Sequence, residues 1–75
     1  MAKTRWINVS FPMGGHQEHY KGFQIHEVEV YYSNTGATLT EFGVFGTGMR
    51  LFGHFATVAA AKAFIDTLVA SNISP

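Results

Sequence analysis

The sequence predicts an α+β domain in which an antiparallel sheet of three or four strands carries one C-terminal helix packed on one face. Apolar and polar residues alternate through most of the chain, as in half-buried strands. The last part is instead rich in alanine and free of Gly and Pro. The expected strands cover about residues 5–11, 22–33, 37–46 and 49–55, and the expected helix covers about residues 58–71. A chain of 75 residues suffices for one domain, residues 1–75, with a thin core.

The first strand is indicated by alternation in residues 5–11 and is ended by Pro12. Residues 13–21 contain two glycines and several polar side chains without any periodicity, which predicts a surface loop. Residues 49–55 follow glycines that allow a sharp bend, so we expect a separate short fourth strand there.

Along the second expected strand, the apolar residues stand first at odd-numbered and then at even-numbered positions, so they would point to opposite faces of a regular strand. A β-bulge at His26 and Glu27 would return them all to one face. The residues concerned are Phe23, Ile25, Val28, Val30 and Tyr32. Turn-forming residues that end at Gly36 then predict a hairpin with the third strand, because Gly36 suits a positive φ.

The helix has a clear start and two chemically different sides. Thr57 is a good N-cap, and a stripe of apolar residues faces the core at helical spacing. The stripe consists of Val58, Ala61, Phe64, Ile65, Leu68 and Val69, with Phe64 and Leu68 at its middle. The opposite side carries Ala59, Ala63 and Ala70. These alanines are either good helix formers at exposed positions or the contact with a second helix in a homodimer.

Aromatic residues are numerous for so small a chain, with seven Phe, three Tyr and one Trp. One helix covers only part of one sheet face, so the surplus either forms a second small core or an exposed patch that binds a protein partner. The candidate partner-binding residues are Trp6, Tyr31, Phe45, Phe52 and His54. We expect His54 to lie neutral in the apolar surface and to make association sensitive to pH.

Three of the four histidines are near one another in sequence. His16, His19 and His26 could converge on Zn²⁺ or Ni²⁺, which makes a small His-based metal-binding domain an alternative function. The spacing is permissive, and the chain has no cysteine to add a thiolate, so solvated histidines are the expectation. No nucleophile elbow or phosphate-binding loop is present, which predicts a protein that is not an enzyme and needs no cofactor.

The charge balance narrows the choice of partners. The formal net charge is +0, with basic residues scattered and matched by acids, so we expect neither nucleic-acid nor membrane binding. Sheet-mediated nucleic-acid binding stays as the other alternative, because a sheet with a trailing helix resembles the small domains that lay a sheet into a DNA groove. We expect a cytoplasmic location, since no signal-like or membrane-spanning segment is seen.

Two segments carry a resemblance to a group of known proteins. They are Tyr20-Lys21-Gly22-Phe23-Gln24-Ile25-His26 before the long strand, and Phe55-Ala56-Thr57 followed by Ala61-Lys62-Ala63-Phe64-Ile65-Asp66. With the order of elements, they resemble small uncharacterised βββα proteins of bacteria, phages and plasmids. The resemblance implies an accessory protein and supplies no catalytic residues. The sequence thus predicts a protein-binding homodimer, for example an inhibitor or adaptor of a host protein complex.

Overall fold

The computed structural model describes residues 7–75, with side chains from Val9 onward. It confirms the α+β class, with five strands where three or four were expected. The elements are β1 (Ile7–Ser10), β2 (Gln17–Tyr20), β3 (Phe23–Tyr32), β4 (Ala37–Phe45), β5 (Leu51–Phe55) and α1 (Val58–Ala70), with a 3-10 turn at Thr47–Met49 before β5. Both β1 and β2 pair with one edge of β3, and β4 and β5 follow on the other side. All pairings are antiparallel.

We call the side of the sheet covered by α1 the helix face and the opposite side the distal face. Side chains alternate between them along each strand, and directly paired residues share a face. Phe23 and Ile25 of β3 belong to the helix face, because they pack with Ile65 of the helix. Val28 and Val30 have the opposite parity and belong to the distal face.

Strand β2 corrects the prediction of a loop over residues 13–21. Tyr20 pairs with Phe23 across a two-residue turn in which Lys21 and Gly22 both have positive φ, at 51° and 87°. Such turns match the twist of a hairpin. The strand was hidden in the sequence because its side chains are polar on both faces. Glu18 meets the helix, whereas His19 lies on the distal face.

The predicted bulge at His26 and Glu27 is wrong. Strands β3 and β4 pair without interruption from Gln24 with Phe45 to Tyr32 with Ala37. The phase of the apolar residues changes because the two halves of β3 bury opposite faces of the sheet. The described part of the domain therefore has two small cores, one on each face.

The helix begins as predicted, with the Thr57 hydroxyl accepting a hydrogen bond from the Ala60 amide at 3.1 Å. The core of the helix face comprises Phe23, Ile25, Val44, Ala61, Ile65 and Leu68. Two parts of the predicted stripe are wrong. Val69 is 41% exposed, and Phe64 is half-buried at the edge of the core against Phe55, so Ile65 occupies the centre instead.

Polar contacts attach the helix to β2. The Lys62 ammonium lies 2.9 Å from Glu18, and the Lys21 ammonium lies 2.8 Å from Asp66, which also accepts from the Tyr20 hydroxyl. The hydrogen bond from Lys62, followed by that from His16, holds the pKa of Glu18 below its usual value. These groups are exposed or only partly buried, so they orient the helix more than they stabilise it. In the part of the chain that the structure describes, no helix has the length and apolar character needed to cross a membrane.

Candidate functional site

The distal face has its own core although no helix within residues 7–75 packs on it. Val28, Val30 and Phe45 are buried there, with Val9 and Tyr32 packed beside them. Phe45 thus belongs to a second small core, which was one of the two outcomes expected for the surplus aromatics. Tyr20 and Phe52 pack on the other core, below the helix.

The predicted partner-binding residues do not form one patch. Phe52 packs edge-on against Phe23 on the helix face, and Tyr31 has the same strand parity and is 39% exposed. Phe45 and His54 lie on the distal face. Trp6 is outside the described residues. The structure therefore divides this set between two sides of the sheet.

A cluster of three rings lies at one end of the distal face. The ring of Phe11 is 5.7 Å from that of His26 and 5.4 Å from that of Phe45, and the last two rings are 5.4 Å apart. Phe11 is 53% exposed, so it lies on an aromatic platform with much of its surface in water. Leu51, paired with Phe45 across the strands, is 42% exposed beside it. We call Phe11, His26, Phe45 and Leu51 the ring patch.

Gly43 allows the ring patch to form. A Cβ atom at this position would lie 2.7 Å from the ring of Phe45 and 3.5 Å from Leu51 Cδ1. Contacts below 3.0 Å do not occur for real side chains, so the Phe45 ring lies across β4 only because residue 43 has none. Sequence reasoning attributed the glycines near this position to a bend and missed this close approach.

His26 contributes an uncharged ring to the patch. Burial, and then the nearby charge of His19, lower the pKa of the His26 imidazole. Its Nε2 atom lies 2.8 Å from Gln24 Oε1. Next to it is a shallow polar cleft of about 160 Å³, lined by Gln17, Glu18, His19, Gln24 and His26. At neutral pH the ring patch is therefore apolar and uncharged, with hydrogen-bonding amides and the Glu18 carboxylate in the adjoining cleft.

Charged residues are segregated away from the distal face. Within residues 7–75, Glu41 is the one Asp, Glu, Lys or Arg whose side chain belongs to it. The other charged residues contact the helix, share the parity of the helix face or lie over Phe52; they are Glu18, Lys21, Glu27, Glu29, Arg50, Lys62 and Asp66. A partner that covers the distal face consequently displaces little water from charges.

Glu41 is a buried carboxylate that sequence reasoning did not single out. It is 8% exposed, and it accepts a hydrogen bond from the Tyr32 hydroxyl at 2.6 Å while its other oxygen lies 2.5 Å from His54 Nδ1. Burial alone raises its pKa, but the hydrogen bonds from Tyr32 and His54 and the charge of His54 outweigh burial and lower it. The sequence did contain an indication of this residue: Glu41 is a charged residue on the same face of the strand as the apolar residues Leu39 and Phe45. His54 therefore has a carboxylate partner, contrary to the expectation of an unpaired imidazole.

Only two of the three histidines proposed as metal ligands share a face of the sheet. His16 Nε2 contacts Glu18 at 2.6 Å, on the side of the sheet that meets the helix, whereas His19 and His26 lie on the distal face. Among residues 7–75, no group of three or more His, Cys, Asp or Glu side chains is arranged to hold a metal ion.

The alanines on the back of the helix are exposed. Ala59, Ala63 and Ala70 have no covering element in the described part of the chain. Their role as a dimer contact stays a prediction, since an exposed alanine also suits an isolated helix.

No protein-family model, curated protein or solved structure matches the chain. What the protein does must therefore be inferred from the side chains of its surfaces. On the ring patch, apolar exposure, contact between neighbouring rings and absence of charge coincide.

Proposed function

We propose that the protein is a cytoplasmic, non-catalytic accessory module that binds another protein through the ring patch. The observation that carries the proposal is Phe11, which is 53% exposed yet held by the rings of His26 and Phe45. An exposed aromatic side chain that is already positioned loses little conformational entropy on binding, so such residues are efficient contacts at interface centres.

The chemistry of the distal face defines the occupant as an uncharged apolar surface of a partner protein. Covering the remaining half of Phe11 contributes about 0.8–1.5 kcal/mol, half of the value for burying a whole Phe side chain. Leu51 adds apolar area next to it. Gln17 and Gln24 in the adjoining cleft offer hydrogen bonds to a polar rim, as protein interfaces have.

The positions of the basic residues favour a protein partner over nucleic acid. Lys21 and Lys62 pair with acids at the helix, and Arg50 lies over the ring of Phe52. Within residues 7–75 the distal face has no Lys or Arg to contact phosphates. Protein–nucleic acid affinity depends on such contacts, so this face suits a protein.

A comparison of variants as bait tests the proposal. Tagged parent protein, Phe11→Glu, Leu51→Lys and Val69→Glu would be incubated with a lysate of the native host, and retained proteins would be quantified by mass spectrometry. Val69 is the matched control, because it is a similarly exposed apolar residue on the helix. Thermal melts would verify that each variant is folded.

We expect the parent and Val69→Glu to retain the same host protein in equal amounts. Phe11→Glu and Leu51→Lys should each retain at least tenfold less of it. Equal retention by all four baits would show that the ring patch does not bind the partner. Retention of DNA that declines with salt would replace the proposal with the nucleic-acid alternative.

A further inference from the structure

Part of strand β4 has an unpaired edge. All nine residues of β4 pair with β3, but β5 pairs only with Phe42 to Phe45. On that side, no strand within residues 7–75 pairs with residues 37–41, which we call the open edge. The backbone N–H and C=O groups that point outward from the open edge are thus available to another strand.

The open edge has few of the features that usually protect exposed strand edges. It contains no Pro, Lys or Arg, and its pairing with β3 is regular. Thr38, Leu39 and Thr40 are exposed, and Leu39 is 50% exposed although it is a large apolar residue. Exposed, regular edges of this kind pair readily with further strands.

The ends of the open edge determine how a strand can add. After Glu41, the space beside β4 is occupied by β5. Before Ala37, the chain turns at Gly36, whose φ is 74°. Antiparallel pairing of two identical open edges that uses every residue has one register, with its two-fold axis at Leu39. Leu39 then faces Leu39 of the second copy, Thr38 faces the second copy's Thr40, and Ala37 faces the second copy's Glu41.

This register is complementary in chemistry as well as in length. Paired threonines and paired apolar residues are favourable across antiparallel strands, whereas like charges directly opposite each other are unfavourable. No like charges meet in the register centred on Leu39. Because Leu39 pairs with Val30 within the chain, the two Leu39 side chains would also join the distal-face cores of the two copies.

We propose that two copies of the chain associate through their open edges and form one continuous antiparallel sheet. This contact uses a strand edge and leaves the ring patch and the alanines of the helix uncovered, so it is independent of the proposed function. It also differs from the homodimer contact that the alanine-rich helix predicted.

Single cysteines test the contact directly, because the chain has none of its own. Leu39→Cys places two thiols opposite each other, with Cβ atoms about 4.5–5.5 Å apart, close enough for a disulfide after a small adjustment. Ala63→Cys tests the helix contact, and Asn34→Cys, at an exposed turn, measures random collision. Each variant would be mildly oxidised at micromolar concentration and analysed on a non-reducing gel.

We expect Leu39→Cys to form a covalent dimer at least tenfold faster than Asn34→Cys. Light scattering of the unmodified protein should give about twice 8.3 kDa. Leu39→Lys should weaken the dimer at least tenfold while the chain still folds and melts cooperatively, because two ammonium groups would meet at the two-fold axis. Fastest cross-linking of Ala63→Cys, or equal rates for all three cysteine variants, would overturn the proposal.

Discussion

Replacement of Glu41 by Gln tests how much the network on the distal face stabilises the fold. Glu41 is 8% exposed and has hydrogen-bond partners on both oxygens, Tyr32 and His54. Gln has nearly the same shape and keeps one oxygen, but it has no charge. Hydrogen bonds to charged groups contribute about 1.5–3 kcal/mol each and neutral ones about 1 kcal/mol. We expect the free energy of unfolding to decrease by about 1–4 kcal/mol. The core of so small a domain rarely supplies more than about 3–5 kcal/mol, so this loss would be a large fraction of the total.

Urea denaturation at pH 7 and 25 °C measures this loss. Glu29→Gln is the matched control, because Glu29 is exposed on β3 and its replacement should change stability by less than about 0.5 kcal/mol. Tyr32→Phe and the Tyr32→Phe, Glu41→Gln double variant complete a cycle whose coupling energy should be about 0.5–3 kcal/mol. A Glu41→Gln variant as stable as the Glu29→Gln control would refute the stabilising role of the network.

The same network predicts a dependence on pH. The pKa of Glu41 in the folded chain is below its ordinary value of 4.5, so the unfolded chain takes up the proton first as pH falls. The contribution of Glu41 is therefore complete above pH 4.5 and is lost as pH falls through the folded pKa. The stability difference between parent and Glu41→Gln should shrink between pH 7 and pH 3.5. A constant difference would contradict this assignment.

Four further substitutions test the core of the helix face and the ring patch. Ile65→Ala should cost about 2–5 kcal/mol, more than Phe64→Ala, because Ile65 is buried and Phe64 only half-buried; the reverse order in urea would contradict the core described above. Gly43→Ala should cost about 1–3 kcal/mol by displacing the Phe45 ring, and an unchanged melt would show that this ring moves freely. Because the pKa of His26 is lowered from 6.5, the parent should lose stability as pH falls below that value. His26→Phe should lose less between pH 7.5 and 5.5, and an equal loss would exclude His26 as the cause.

The sequence alone predicted the features that depend on neighbouring residues. The helix, its cap at Thr57, the hairpin that turns at Gly36 and the short strand β5 all agree with the structure. Each depends on periodicity or on turn and cap chemistry within a few residues, which a single segment contains. These elements were sufficient to predict the α+β class.

The tertiary structure decided which face each residue serves. In β3, the phase change after Ile25 was compatible with a bulge or with burial on two faces, and one strand cannot distinguish them. Only the unbroken register with β4 does so, because it fixes the parity of every pair. Strand parity alone does not predict the ring patch or the Glu41 network, because their residues come from separate segments of the chain. Phe11, His26 and Phe45, for example, meet only in the folded structure. Contacts between distant segments depend on how strands align and pack, and local sequence patterns do not encode that alignment.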